Sequence, residues 1–273
     1  MPDLITVFAR WWKFIIGITI LAAVIAFVVS IFSPKEYLSE ATALPANSMI
    51  ADKARIFNKN IEALYSDIGT ADELDRLEGT GTLDTLYIAA ADSFNLGMHY
   101  GYGEEGEADF KAARKLKKNS KIARSAYGEL KVKVWDEDRN LSAALANFLM
   151  GRLQSIHQQM QNETSLVILE KMKTDYASKQ QQFNNYSDTV QSNAEIRTAK
   201  KAALLAQIVD YEKMINEYQL AINTNPPVLL IVEYARASIW ADKPRTLQNM
   251  AFTIVVAVGL TFLVALYMES RKR

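Results

Sequence analysis

Two histidines, His99 and His157, and no cysteine are all that this chain offers for conventional metal or thiol chemistry. A zinc site built around either imidazole would need carboxylates to complete it, because thiolate ligands are absent. His99 stands at the start of HYGYGEEGE (99–107), the one glycine-rich patch, and His157 stands among glutamines. The patch lacks the G-x-x-x-x-G-K-[ST] spacing that cradles phosphates and reads as a surface loop. No serine has the G-x-S-x-G form of a nucleophile elbow. Carboxylates are plentiful, but they alternate with lysines as solvated helix faces do. The residues for catalysis are missing, so no cofactor, no metal and no enzymatic activity are expected.

What, then, do the remaining residues position? Two uncharged apolar runs, Phe14–Phe32 and Met250–Met268, lie near opposite ends of the chain. At about 1.5 Å rise per residue each nearly matches a hydrocarbon core of roughly 30 Å, so each is expected to span a membrane. The first run is longer than a signal-peptide core and no A-x-A-like site follows it, which favours a retained anchor. Arg10 and Lys13 precede the first run, and Arg271, Lys272 and Arg273 follow the second. That bias puts both termini in the cytoplasm, with Trp11, Trp12, Trp240 and Tyr267 near the interfaces. The segment between the runs holds nearly equal numbers of basic and acidic residues, so nucleic acid is not an expected partner. It has no disulfides and must be held by packing.

EYLSEATAL (36–44) reads as a strand ending at Pro45. Ser48 can cap a helix whose stripe is Ile50, Ala54, Phe57, Ile61 and Leu64, closed by Gly69. Thr70-x-x-Glu73 has capping-box form. A further helix is expected from about Thr82 to Leu96, closed by Gly97, and a basic helix over ADFKAARKLKK (108–118). In GELKVKVWDED (128–138), Leu130, Val132 and Val134 alternate with lysines, the pattern of a half-buried strand. Asp138 or Asn140 caps the next element.

That element is a helical run over 141–223. Leu145, Leu149, Leu153, Ile156 and Met160 line its start, and Leu204, Ile208, Tyr211, Ile215, Tyr218 and Ile222 its end, as narrow coiled-coil-like seams. Pro226-Pro227 stops it, and VLLIVEYA (228–235) reads as a second buried strand. A straight helix of this length would extend roughly 125 Å, beyond the roughly 90 Å that the chain from Asn223 to Met250 can reach. The run must therefore fold back. The polar stretch QQQFNNYSDTVQSN (180–193) is the expected turn, with Asn184 or Asn185 left-handed and Ser187 or Ser192 capping the return helix. Phe183, Asn184, Asn185, Tyr186 and Ser187 then form the tip.

Two surfaces call for partners. Ala22, Ala26 and Ser30 recur every fourth residue of the first span, and Thr253, Ala257, Thr261 and Ala265 do so in the second. Small residues at this spacing let helix backbones approach closely. Phe148, Tyr176, Phe183, Tyr211 and Tyr218 would leave apolar surface on a lone hairpin, and Phe148, Tyr211 and Tyr218 are candidate contacts between copies.

The order of parts, with ELKVKVWDEDRNLSAALANFL (129–149) as its most telling local piece, resembles the Wzz-type chain-length determinants, the polysaccharide co-polymerases of bacterial inner membranes. Within that piece the Ala146-Asn147 pair matches the family pattern, and RASIWADKPRTLQNM resembles its proline-containing segment before the second span. Trp240 and Pro244 mark this segment, although the family usually carries several prolines here. The resemblance implies an α+β membrane protein: two transmembrane helices flanking a periplasmic domain with a small mixed sheet, short helices and a long antiparallel helical hairpin. The implied parts are a cytoplasmic N-terminus (1–13), a first span (14–32), a periplasmic α/β base (33–140), a hairpin turning at about 184–192 (141–223), a returning strand and proline-containing segment (224–249), a second span (250–268) and a cytoplasmic C-terminus (269–273). It also implies a non-catalytic regulator of O-antigen or related lipid-linked glycan chain length. Its partners would be further copies in a ring, a membrane polymerase, the growing glycan and the bilayer. An envelope scaffold or transport adaptor, or a two-span ligand-sensing protein, is the competing reading.

Overall fold

A computed structural model describes residues 4–46, 71–103, 107–186 and 194–271. The chain divides into two compact units. The span unit comprises residues 1–39, 134–144 and 236–273, and the hairpin unit residues 40–133 and 145–235.

In the span unit, α1 (Leu4–Phe32) and α8 (Thr246–Arg271) are the two helices long and apolar enough to cross a membrane. Both begin earlier than their apolar runs. Polar residues extend them because an α-helix satisfies its own backbone wherever it lies. Such a pair at the two ends of the chain fits a two-span membrane protein.

Strands β1 (Tyr37–Pro45), β2 (Ser120–Arg124), β3 (Leu130–Asp136) and β4 (Leu229–Glu233) make a sheet ordered β2-β3-β1-β4 among the described residues. β1 and β4 run antiparallel, Ala43 opposite Ile231 and Pro45 opposite Leu229, with a bulge between Thr42 and Ala43. The segment 228–235 thus joins the expected sheet, on β1. Along β3 the alternation holds: Leu130 and Val132 are buried, while Lys131 and Lys133 stand on the other face. Between those lysines sits Glu40 of β1, 3.0 Å from each ammonium. Partial burial works against its charge, but the two lysines outweigh it and lower its pKa.

Helices α2 (Ala71–Thr80), α3 (Asp84–Ser93), α4 (Leu96–His99) and α5 (Ala108–Lys118) supply Leu74, Leu77, Leu86, Leu96 and Leu116 to the core. They are joined there by Leu145, Leu149 and Leu153 of the long helix α6 (Arg139–Tyr186). After it, α7 (Ala194–Thr224) runs back as the second arm of a hairpin. α7 is stopped by Asn225, left-handed at φ 43°, ahead of the two prolines.

The structure corrects some local readings, adds a strand and decides between two caps. The helix expected over 82–96 breaks at Asn95, which takes φ 49° and separates α3 from α4. Asparagine tolerates that conformation at low cost. Gly97 is not the stop: it lies inside α4, where a Cβ would come 2.7 Å from the Gly103 carbonyl. β2 went unforeseen because SKIAR has a single large apolar residue, Ile122, and lies at the sheet edge. Of the two candidate caps for α6, Asp138 is the one, its Oδ1 accepting from the Asn140 N–H at 2.8 Å. Asn184 and Asn185 remain helical, so neither makes the turn. The helix read over 50–64, its caps Ser48 and Gly69, Thr70, Ser187 and Ser192 lie outside the described residues.

Candidate functional site

Of the expected small-residue stripes, part is packed in the span unit and part, Ala22, Ala26, Ser30 and Thr253, lines an open groove of about 450 Å³. Ala257, Thr261 and Ala265 are buried, Ala265 completely, and so is Ser30; Ala22, Ala26 and Thr253 are half-buried. The Thr261 hydroxyl donates to the Ala257 carbonyl at 2.7 Å, so this buried polar group is satisfied within its own helix. Polar clasps hold both ends. At one, Ser30 Oγ donates to Thr246 Oγ1 at 2.9 Å. At the other, Glu269 accepts from Arg10 at 2.8 Å and from the Trp11 indole at 3.2 Å. An ionised carboxylate at a membrane helix end needs such partners.

Between the spans and the remaining chain of this unit lies a knot of backbone and charge. Glu36 and Lys243 form an antiparallel bridge: the Glu36 N–H donates to the Lys243 carbonyl at 3.0 Å, and the Asp242 N–H to the Glu36 carbonyl at 2.9 Å. The Lys243–Pro244 peptide is cis. The Lys243 ammonium reaches Glu36 at 2.9 Å and also stands 4.7 Å from the centre of the Trp135 ring. The Trp135 indole N–H donates to Asp242 Oδ2 at 2.8 Å, and Arg245 binds Oδ1 at 2.8 Å. The indole donor first, then Arg245, hold the Asp242 carboxyl below the usual range, so it stays ionised.

This knot borders an open cleft of about 740 Å³. Its walls run from Trp135 through Asp242 and Arg245 to Gln248, Asn249 and Phe252 on the first two turns of α8. Pro244 lines the cleft; Trp240 is 82% exposed nearby in sequence. Of this cluster only Trp240 and Pro244 were expected. Trp135, Asp242 and Glu36 carried no local signal, because strand and helix periodicity say nothing about which distant carboxylate an indole meets.

In the hairpin unit, Asn147 makes a reciprocal pair with the backbone of Ala235, donating at 3.0 Å and accepting at 2.8 Å. The hairpin arms are tied at their base, where Gln158 and Asn162 each donate to Asn225 at 2.6 Å. Near the tip, the Lys201 ammonium lies 5.1 Å from the Phe183 ring centre. Asn184 and Asn185 are exposed there. Phe148 packs edge-on against Phe94 at 5.4 Å in its own chain, and Tyr176, Tyr211 and Tyr218 are half-buried. The Thr80 hydroxyl donates to the Arg76 carbonyl, so the His157 Nε2–H donates to Thr80 Oγ1 at 2.8 Å.

No family model and no curated protein matches this sequence. Among solved structures, the chain is similar to a full-length bacterial polysaccharide co-polymerase. That match covers all of this chain and 98% of the other, at 12% identity and a TM-score of 0.40. It is also similar to a fragment of WzzB, a polysaccharide co-polymerase from Salmonella Typhimurium, over 77% of its own length and all of the fragment, at 11% identity and a TM-score of 0.28. A mutant of the Shigella flexneri lipopolysaccharide O-antigen chain-length regulator WzzBSF matches over 76% of this chain and all of the other, at 12% identity and a TM-score of 0.26. Residue roles stand on the geometry of this chain.

Proposed function

We propose that the chain is a non-catalytic regulator of bacterial surface polysaccharide chain length, a co-polymerase of the Wzz type. On this reading both spans lie in the inner membrane with the termini in the cytoplasm and the bulk in the periplasm. Copies assemble into a ring beside a membrane polymerase that extends O-antigen or a related lipid-linked glycan. The observation that carries the reading is the combination of a clasped two-helix anchor with a two-helix hairpin of 48 and 31 residues whose apolar surface is largely uncovered. Leu166, Val167, Leu205, Val209 and Leu220 are exposed on its arms. In water such a surface asks for a neighbour. A repeated head-to-tail contact between hairpins of neighbouring copies can close as a ring. Length control of this kind needs no reacting group: it needs polymerase and growing chain held together.

The test is the gel profile of surface polysaccharide from the source strain, with the chain deleted and then restored. A clustered length distribution that turns random on deletion and returns on restoration is the expected result. An unchanged profile on deletion overturns the reading and favours an envelope scaffold.

A further inference from the structure

Resting on the co-polymerase reading, the geometry points to the cleft beside the knot as a binding site for a sugar residue at the lipid end of a membrane-anchored saccharide. Its size, about 740 Å³, falls in the range of small-ligand pockets. One end is a strand-end indole, Trp135, held in place by Asp242 and Lys243. The other is Phe252, 72% exposed and about 9 Å along α8 from its start, where an apolar tail would lie. A ligand filling the cleft therefore has a polar head at the water boundary and a chain that continues along the span.

The wall chemistry selects the head. Two cations, Lys243 and Arg245, are each already paired with a carboxylate, Glu36 and Asp242. The cleft is thus neutral in sum, and a bare phosphate would meet two carboxylates as well as two cations. A neutral ring bearing hydroxyls fits better. Its C–H face packs against an aromatic ring, and its hydroxyls both donate and accept. Asp242 offers ionised acceptor oxygens, and Arg245 has donors beyond the one given to Asp242. The side-chain amides of Gln248 and Asn249, both exposed, make no hydrogen bond to the described residues, and each can donate and accept.

The full-length chain in phosphatidylcholine nanodiscs would be presented with three lipids, their retention read by native mass spectrometry. They are a polyprenyl diphosphate carrying one N-acetylhexosamine, the same diphosphate without sugar, and phosphatidylglycerol. The sugar-bearing lipid is expected to bind about tenfold or more tighter than either other lipid. Gln248→Ala with Asn249→Ala, surface changes that spare the knot, should cost it about tenfold, and Trp135→Phe a smaller factor. Equal retention of the sugarless diphosphate or phosphatidylglycerol overturns the proposal, as does tight sugar-lipid binding that these variants leave unchanged. The two ideas fail separately. A polysaccharide profile that depends on the chain, with no sugar-lipid preference in the nanodisc, removes the cleft assignment and leaves the regulator reading intact.

Discussion

Two pairs of antiparallel helices in this chain solve the same packing problem in opposite ways. The span pair buries the small residues Ala257, Thr261 and Ala265, the last completely, and is clasped at each end by side-chain hydrogen bonds. The hairpin pair has large residues along comparable seams. Yet beyond Leu153 the described residues that are buried on its arms are Leu169, Ile208 and Glu217 alone. Solvent explains the contrast. Lipid tails are as apolar as leucine, so the outward faces of the spans need no protein cover, and close backbone approach drives pairing. Water penalises exposed leucine and valine, so the hairpin's open surface is where the proposed contact between copies would form.

The contrast can be broken by exchanging size for space. Ala265→Leu forces side-chain volume into a filled seam and should cost about 1–3 kcal/mol, read by detergent-titrated unfolding of the reconstituted chain. A leucine tolerated there without loss would mean that the seam is loose. Asn225→Ala should cost about 1–2 kcal/mol, because alanine resists the left-handed conformation and Asn162 loses its acceptor. A thermal melt followed by circular dichroism measures it, and an unchanged melt would show that the base clasp contributes nothing. Leu205→Ser with Val209→Ser should change subunit stability by less than about 0.5 kcal/mol each. The same pair should lower the particle mass in analytical ultracentrifugation. If the mass stays that of the wild type, this face does not hold copies together.

The smallest effect concerns His157. Burial, then the nearby Arg76, hold its pKa below the ordinary histidine value. Between that depressed folded value and the unfolded value of about 6.5, the unfolded chain binds the extra proton. Stability therefore falls as pH drops through this window and rises as pH increases, by linkage. The slope of unfolding midpoint against pH from 7 to 5 should flatten in His157→Gln; an equal slope in both proteins would place the titrating group elsewhere.

Legibility followed range. Both long apolar helices, the alternation of β3, the buried start of the long helix at Leu145, Leu149 and Leu153 and the helix end ahead of Pro226-Pro227 come from patterns within a few residues of one another, whereas Met160, expected in the seam, is 57% exposed. Periodicity reports such patterns directly. The need for a reversal was also legible, from chain reach alone. β2 escaped because an edge strand can be short and charged. Asn95 escaped because one residue entering the left-handed region leaves no periodic trace.

The candidate site divides along the same line. Apolar run length determined that this chain carries two potential spans, and residue spacing determined where small side chains line them. These are sums over neighbouring positions, which the chain carries before it folds. That Trp135 donates to Asp242 across 107 positions, that Asn147 grips Ala235 across 88, and that Arg10 meets Glu269 across 259 was decided only by the tertiary structure. Each such contact joins segments whose distance in sequence carries no information about direction. A hydrogen bond forms only when packing has already brought donor and acceptor within about 3 Å at a usable angle.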